Sequence, residues 1–188
     1  MRQTTATTES AKRVLQFWFE ELKPEQWWKK DNKLDHQIEQ NFSLVLSQAK
    51  QNELYTWRAS LEGRLAEVII LDQFSRNIFR NQPEAFQQDA QALALALEAI
   101  HSHQALEILS EAKRDFMMMP LMHSESLVIH QFAEECFRKY GSKNSYNYEL
   151  KHKVIIERFS RYPHRNRILG RPSTQEEEAF LKQPDSSF

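Results

Sequence analysis

Between Arg158 and Arg171 the chain carries Arg158, Arg161, Arg165, Arg167, Arg171 and His164, and no acidic residue. Fixed positive charges this dense repel one another unless something negative lies nearby. The counter-charge can be protein carboxylates, a bound anion or solvent. Arginine forks hold carboxylates and phosphates through paired hydrogen bonds, so the chemistry suggested is anion recognition. A second stretch echoes the first. Ile69 to Asn81 aligns without gaps on Val154 to Asn166 at an offset of 85. Ile70, Phe74, Ser75, Arg76, Arg80 and Asn81 recur as Ile155, Phe159, Ser160, Arg161, Arg165 and Asn166, and Asp72 recurs as the acid Glu157. Two readings stand: pseudo-equivalent helix ends facing one centre, or chance similarity between two amphipathic helix ends.

Other residues point to the same chemistry. Asp72 shares a helical face with Leu65, Val68 and Ile69, which turns its carboxylate inward; Arg76, one turn on, can pair with it. His123-Ser124-Glu125 reads as a helix start, where unpaired backbone N–H groups favour anions. A histidine there suits acid/base work, since imidazole titrates near neutrality; the plainer reading is a packed, hydrogen-bonded ring beside Pro120. His152 lies on one face with Tyr148, Ile155 and Phe159 and points to core or pocket. The arginines have their own plain reading, internal pairing with Asp72, Glu125 and Glu157. Three histidines with Asp72 or Glu125 would suit a metal, yet no His-Glu-x-x-His spacing occurs, so no metal is assigned. No glycine-rich phosphate loop is present and no cofactor is expected. Ser75 and Ser160 lack the glycine-flanked elbow of a nucleophile, Cys136 reads as core, and Met117-Met118-Met119 reads as core filling.

The elements that must position these residues are helices. Only three glycines occur in 188 residues and no useful alternating segment appears, which excludes a strand-rich fold. Four Trp and twelve Phe can fill a sizeable core. A net charge of −1 argues against an overall nucleic-acid footprint. One cysteine allows no internal disulfide and fits a reducing compartment. Met1 to Ser10 is polar and Thr-rich without the apolar core of a leader, and the apolar run Val68 to Leu71 is too short to span a membrane. A cytoplasmic protein of one domain, residues 1–188 with an ordered part of about 10–182, is the expectation.

Periodicity predicts helices over Ala11 to Glu21, Leu34 to Asn52, Leu61 to Asn77 behind Ser60, and Ala85 to His101 with Ala90, Leu93, Leu97 and Ile100 inward. A short helix from Ser110 should break at Pro120. Ser124 should cap Glu125 to Tyr140, with Leu127, Phe132, Cys136 and Phe137 packed. Ser145 should open a helix that Pro163 ends, and Ser173 with Glu176 forms a capping box for the last one, which runs to Lys182 before a frayed tail.

These motifs together resemble one family. Leu71-Asp72-Gln73-Phe74-Ser75-Arg76-Asn77-Ile78-Phe79-Arg80, Leu121-Met122-His123-Ser124-Glu125, Arg158 to Asn166, and Ile168-Leu169-Gly170-Arg171-Pro172-Ser173-Thr174 are similar to the bacterial domain-of-unknown-function 924 family, with Phe17-Trp18-Phe19 and Trp27 resembling its N-terminal signature. The likeness covers roughly residues 13 to 181. It departs at Ser75, Ser126 and Ser160, where the family often has Pro, Asp and Gly. The resemblance implies an all-α fold of about eight helices in a tetratricopeptide-repeat-like antiparallel array, and it implies no reaction.

The reading is a helical protein with an interior polar pocket for a small phosphate- or carboxylate-bearing ligand. Asp72, Arg76, Asn77, Arg80, Glu125, His152, Arg161, Arg165 and Asn166 line it, and His123 and His164 are the acid/base candidates of a hydrolase or transferase, if it is an enzyme. The alternative is a helical scaffold for a protein or peptide partner. Third comes RNA binding through the Arg-rich loop with Tyr162 and His164 stacking, which the net charge disfavours. No membrane partner is expected.

Overall fold

The computed structural model describes residues 10–184, 186 and 187, and all regular structure among them is helical. The Thr-rich stretch Met1 to Glu9, with its expected lack of a leader, lies outside the described residues, as do Asp185 and Phe188 of the expected frayed tail. Eight longer helices follow in order: α1 (10–21), α2 (Asn32–Lys50), α3 (61–78), α4 (Asp89–His103), α5 (Glu111–Met122), α6 (Leu127–Tyr140), α7 (Lys143–Phe159) and α8 (Gln175–Phe180). Single-turn segments join them, and neighbours in sequence pack as neighbours in space: α2 on α3, α3 on α4, α5 on α6, α6 on α7. Among the described residues no helix is long and apolar enough to cross a membrane.

α3 is the centre. Ser60 caps it by accepting the Gly63 N–H at 3.1 Å, and Gly63 permits the entry, since a Cβ there would lie 2.0 Å from the Trp57 carbonyl oxygen. Every residue from Leu65 to Leu71 is fully buried. The helix then widens into a π-helical turn, Ile70–Phe74, before Ser75–Ile78 resumes α geometry. Such turns insert an extra residue and re-aim side chains, often at functional positions. Asp72 sits in this one and is 1% exposed, inward as its spacing requires. α2 lays Leu34, Ile38, Phe42, Leu46 and Ala49 against the core.

Several boundaries differ from the sequence expectation for physical reasons. α4 buries Ala92, Ala96 and Ala99, while Leu93, Leu97 and Ile100 are half-buried and Ala90 is exposed. The small face lets α4 approach α3 closely, and the larger residues flank the contact. α5 runs through Pro120 to Met122. Proline removes one N–H there, but the His123 N–H still reaches the Met119 carbonyl at 3.0 Å, so only the last turn is affected. α6 starts at Leu127 behind Ser126, not behind Ser124, and buries His130, Ala133, Cys136 and Phe137; Leu127 is 40% exposed. Ser142 caps α7 by accepting the Ser145 N–H. α7 stops where Ser160 takes the left-handed conformation (φ 56°), before Pro163 is reached. The last capping box slips by one residue to Thr174 and Glu177.

Candidate functional site

The predicted site residues separate into three groups. The innermost is built on α3, the start of α4 and the 160–174 loop. Asp72 Oδ1 meets His123 Nδ1 at 2.8 Å and Arg76 Nη1 at 3.2 Å. Arg76 also donates to the Asp72 carbonyl at 2.8 Å and to Asp89 Oδ2 at 3.0 Å. Arg165 reaches the same Asp89 Oδ2 at 3.1 Å and donates to the His123 carbonyl at 3.1 Å. The two guanidiniums therefore share one carboxylate. The Arg165 guanidinium lies over two rings, 4.7 Å from the Phe86 centroid and 4.5 Å from that of Tyr162, and Phe86 also carries Arg76 at 5.6 Å. Arg165 is 6% exposed, and its Nε is buried with no hydrogen-bond partner.

The electrostatics follow from this packing. Burial alone would raise the Asp72 carboxyl, but Arg76 and His123 hold it well below the usual range. Burial and then the Arg76 charge lower His123, with Asp72 opposing. Burial and the Arg76 charge lower even Arg165. His152 is pushed well below its ordinary value by burial, and His164 falls to about 4 through burial and the Arg165 charge. Asp72 is ionised at neutral pH, so His123 Nδ1 donates to it and Nε2 is the basic nitrogen.

Tyr162 holds this centre together. Its ring lies 5.6 Å from His152, 5.5 Å from His164 and 6.3 Å from His130, and it is fully buried. Its hydroxyl donates to the Met122 carbonyl at 2.5 Å. That proton being used, His130 Nε2 must be the donor, to the Ser124 carbonyl at 2.9 Å and to the tyrosine oxygen at 3.0 Å. The 2.7 Å contact between His130 Nδ1 and Glu149 Oε1 then holds one further proton, and the pair is neutral wherever that proton rests. Both side chains are fully buried, which suits a pair without net charge.

The second group clamps the loop. Glu125 takes the Tyr162 N–H at 2.7 Å and both ends of the Arg171 fork at 2.6 and 2.9 Å. Arg171 also reaches Asn166 Oδ1 and the Tyr162 carbonyl. Arg161 makes a bidentate pair with Glu177 and donates to the Pro172 carbonyl, and Asn166 donates to Ser173. Through these contacts Glu125, Arg161 and Asn166 bond groups of the protein itself. The helix start expected at His123 is corrected, since this residue caps the end of α5. The third group lies apart: Asn77 and Arg80 both bond Asp35 on α2, Arg80 through its fork at 2.5 and 2.6 Å.

The echo between Asp72–Asn81 and Glu157–Asn166 does not carry into equivalent contacts. Arg76 pairs with Asp72, whereas Glu157 lies 3.7 Å from Lys153 and Arg161 turns to Glu177. Ser75 continues its helix while Ser160 ends its own, so the two arginine ladders diverge at that residue. Arg76 and Arg165 meet all the same, from non-equivalent positions.

Residues 14–185 match the family described as bacterial protein of unknown function (DUF924). The chain belongs to this family. A solved structure with the same fold, a protein of unknown function, ATU0120, from Agrobacterium tumefaciens, is 33% identical with a TM-score of 0.89 over 94% of this chain and 98% of that one. No curated protein matches the DUF924 chain.

The sequence reading missed Asp89, Phe86, Tyr162 as a hub, and His130. Asp89 carried a usable signal, an acid opening a helical run. His130 carried one too, on the buried stripe with Ala133 and Phe137. Among the described residues no three His, Cys, Asp or Glu side chains are arranged to hold a metal ion.

Proposed function

We propose that the protein binds a small anion bearing a phosphate or carboxylate at the Arg76–Arg165 pair, with His123 as acid/base. The observation that carries this reading is Arg165, a buried guanidinium close to two rings and with Nε unpaired. An anion oxygen at Nε completes its hydrogen bonding, which a buried charged donor otherwise lacks at a cost of about 1–3 kcal/mol. Asp72 orients His123 as carboxylates orient catalytic imidazoles, and the lowered pKa keeps Nε2 unprotonated at neutral pH. In a hydrolase or transferase His123 takes the proton there while the guanidiniums stabilise the negative charge that develops. Cytoplasmic residence goes with this reading, because its single cysteine is a buried free thiol.

A helical scaffold of tetratricopeptide-repeat-like shape is the second reading, favoured by exposed Leu127, Val128, Tyr148 and Val154 on α6 and α7. Pairing of Arg158, Arg161 and Arg171 with Glu176, Glu177 and Glu125 weighs against RNA.

Thermal unfolding across phosphorylated and carboxylated metabolites tests the proposal. A ligand at a hundred times its dissociation constant adds about 2.7 kcal/mol. One compound class should stabilise the wild type and not Arg165→Lys, and His123→Asn should keep the binding while losing any turnover. No shift with any class, or equal shifts in Arg165→Lys, refutes the anion site.

A further inference from the structure

On another face, a cleft of about 190 Å³ is lined by Trp27, Trp28, Phe116, Glu111, Asp115 and Asn144, among others. We propose that this cleft binds an alkylammonium group, methylated or primary, over the open face of Trp28 and beside the Glu111 and Asp115 carboxylates.

Trp28 is 53% exposed, among the largest apolar side chains left in solvent. One of its faces is covered, because the ring stacks on Phe116 at 5.7 Å and 8°. Trp27 stands at 88° to it, making a second wall at right angles. Phe116 fixes both indoles, being itself 1% exposed and in edge contact with Trp18, Phe19 and Trp27. The aromatic surface is therefore rigid before any ligand arrives, which removes most of the ordering cost of binding. A cation over an indole face gains about 0.5–2 kcal/mol, more as water is excluded.

The charge of the cleft decides between cation and anion. Two helices begin at it, α5 at Glu111 and α7 at Lys143, and each contributes roughly half a positive charge at its start. Two carboxylates line it and no Lys, Arg or His does, so the negative sign wins. Asp115 already accepts from the Ser142 N–H at 3.0 Å and the Ser145 hydroxyl at 2.8 Å, which locks its position at 7% exposure. Each of its oxygens keeps a second lone pair. The cation is either a free small molecule or the side chain of a lysine in a peptide, and the chemistry recognised is the same.

The test is NMR of the indole N–H resonances, of which the four tryptophans supply four. Choline chloride, a trimethyllysine peptide and 3,3-dimethylbutanol, the uncharged isostere of choline, are titrated in parallel. Saturable shifts of the Trp27 and Trp28 resonances are expected with choline, the peptide or both, which separates the two sources. The isostere should bind at least about tenfold more weakly. Glu111→Gln, an exposed change that keeps shape, should weaken binding by about the same factor, and Trp28→Leu should abolish the Trp27 shift. Far-UV circular dichroism checks that both variants fold. Equal binding of the isostere, or no saturable shift with either cation, overturns the proposal.

Discussion

His164 gives the most direct test of the electrostatics of the polar centre. Burial and Arg165 lower it to about 4 from 6.5. Between those two values the unfolded chain binds the proton and the folded chain does not, so stability is complete above about pH 6.5 and falls as the pH drops. A gap of about 2.5 units, at about 1.4 kcal/mol each, gives a loss of about 3 kcal/mol by pH 4. His123 and His152 are lowered in the same direction and steepen the same window. Carboxylates act in a lower one: Glu177, held to about 2 by its hydrogen bonds from Arg161, loses its contribution only below about 4.5. The assay is urea unfolding at half-unit steps from pH 7.5 to 4, on wild type and His164→Asn. The wild type should lose stability from pH 6.5 downward, and the variant should lose it less steeply by up to about 1.4 kcal/mol per unit. Parallel curves over this window would refute the assignment, because a ring that titrates alike in both states contributes no slope.

Other perturbations have equally definite outcomes. Ser160→Gly should raise the unfolding free energy by about 1 kcal/mol, measured by chemical denaturation, since Ser160 is held at φ 56°. Gly63→Ala should cost more than about 2 kcal/mol by the same measurement, because its Cβ meets the Trp57 carbonyl at 2.0 Å. Glu125→Gln should cost about 2–3 kcal/mol, as it removes the charge facing the Arg171 fork. Cys136, its thiol pushed up to about 11 chiefly by burial, should react with a thiol reagent only at the rate at which the fold opens.

What the sequence disclosed was local, and what it concealed was long-range. Spacing alone put Asp72 inside and Arg76 beside it, because both facts follow from one helix. The family motifs marked Arg165 and His123, but Asp89, the partner of Arg165, lies 76 residues from it, where periodicity says nothing. Arg161 and Arg165 looked alike in sequence. The left-handed turn at Ser160 sends one to Glu177 and the other to Asp89, and the serine itself does not announce that turn, which the glycine frequent there in the family does. His130 resembled an apolar position because Glu149 and Tyr162 satisfy it completely.

The long reach of these bonds bears on how the molecule is made. Asp72 meets His123 across 51 residues and Asp89 meets Arg165 across 76. During synthesis the first five helices can gather their apolar core while the carboxylates of α3 and α4 still face water. The polar centre closes only once α7 and the loop behind it have emerged, at about 5–20 residues per second. Until then Arg76 faces Asp72 and Asp89 without its second guanidinium, and the centre carries one net negative charge. Arg165 thus brings the site to neutrality late in folding, and a ribosome-stalled chain ending before Tyr162 should fold its core yet show no affinity for anions.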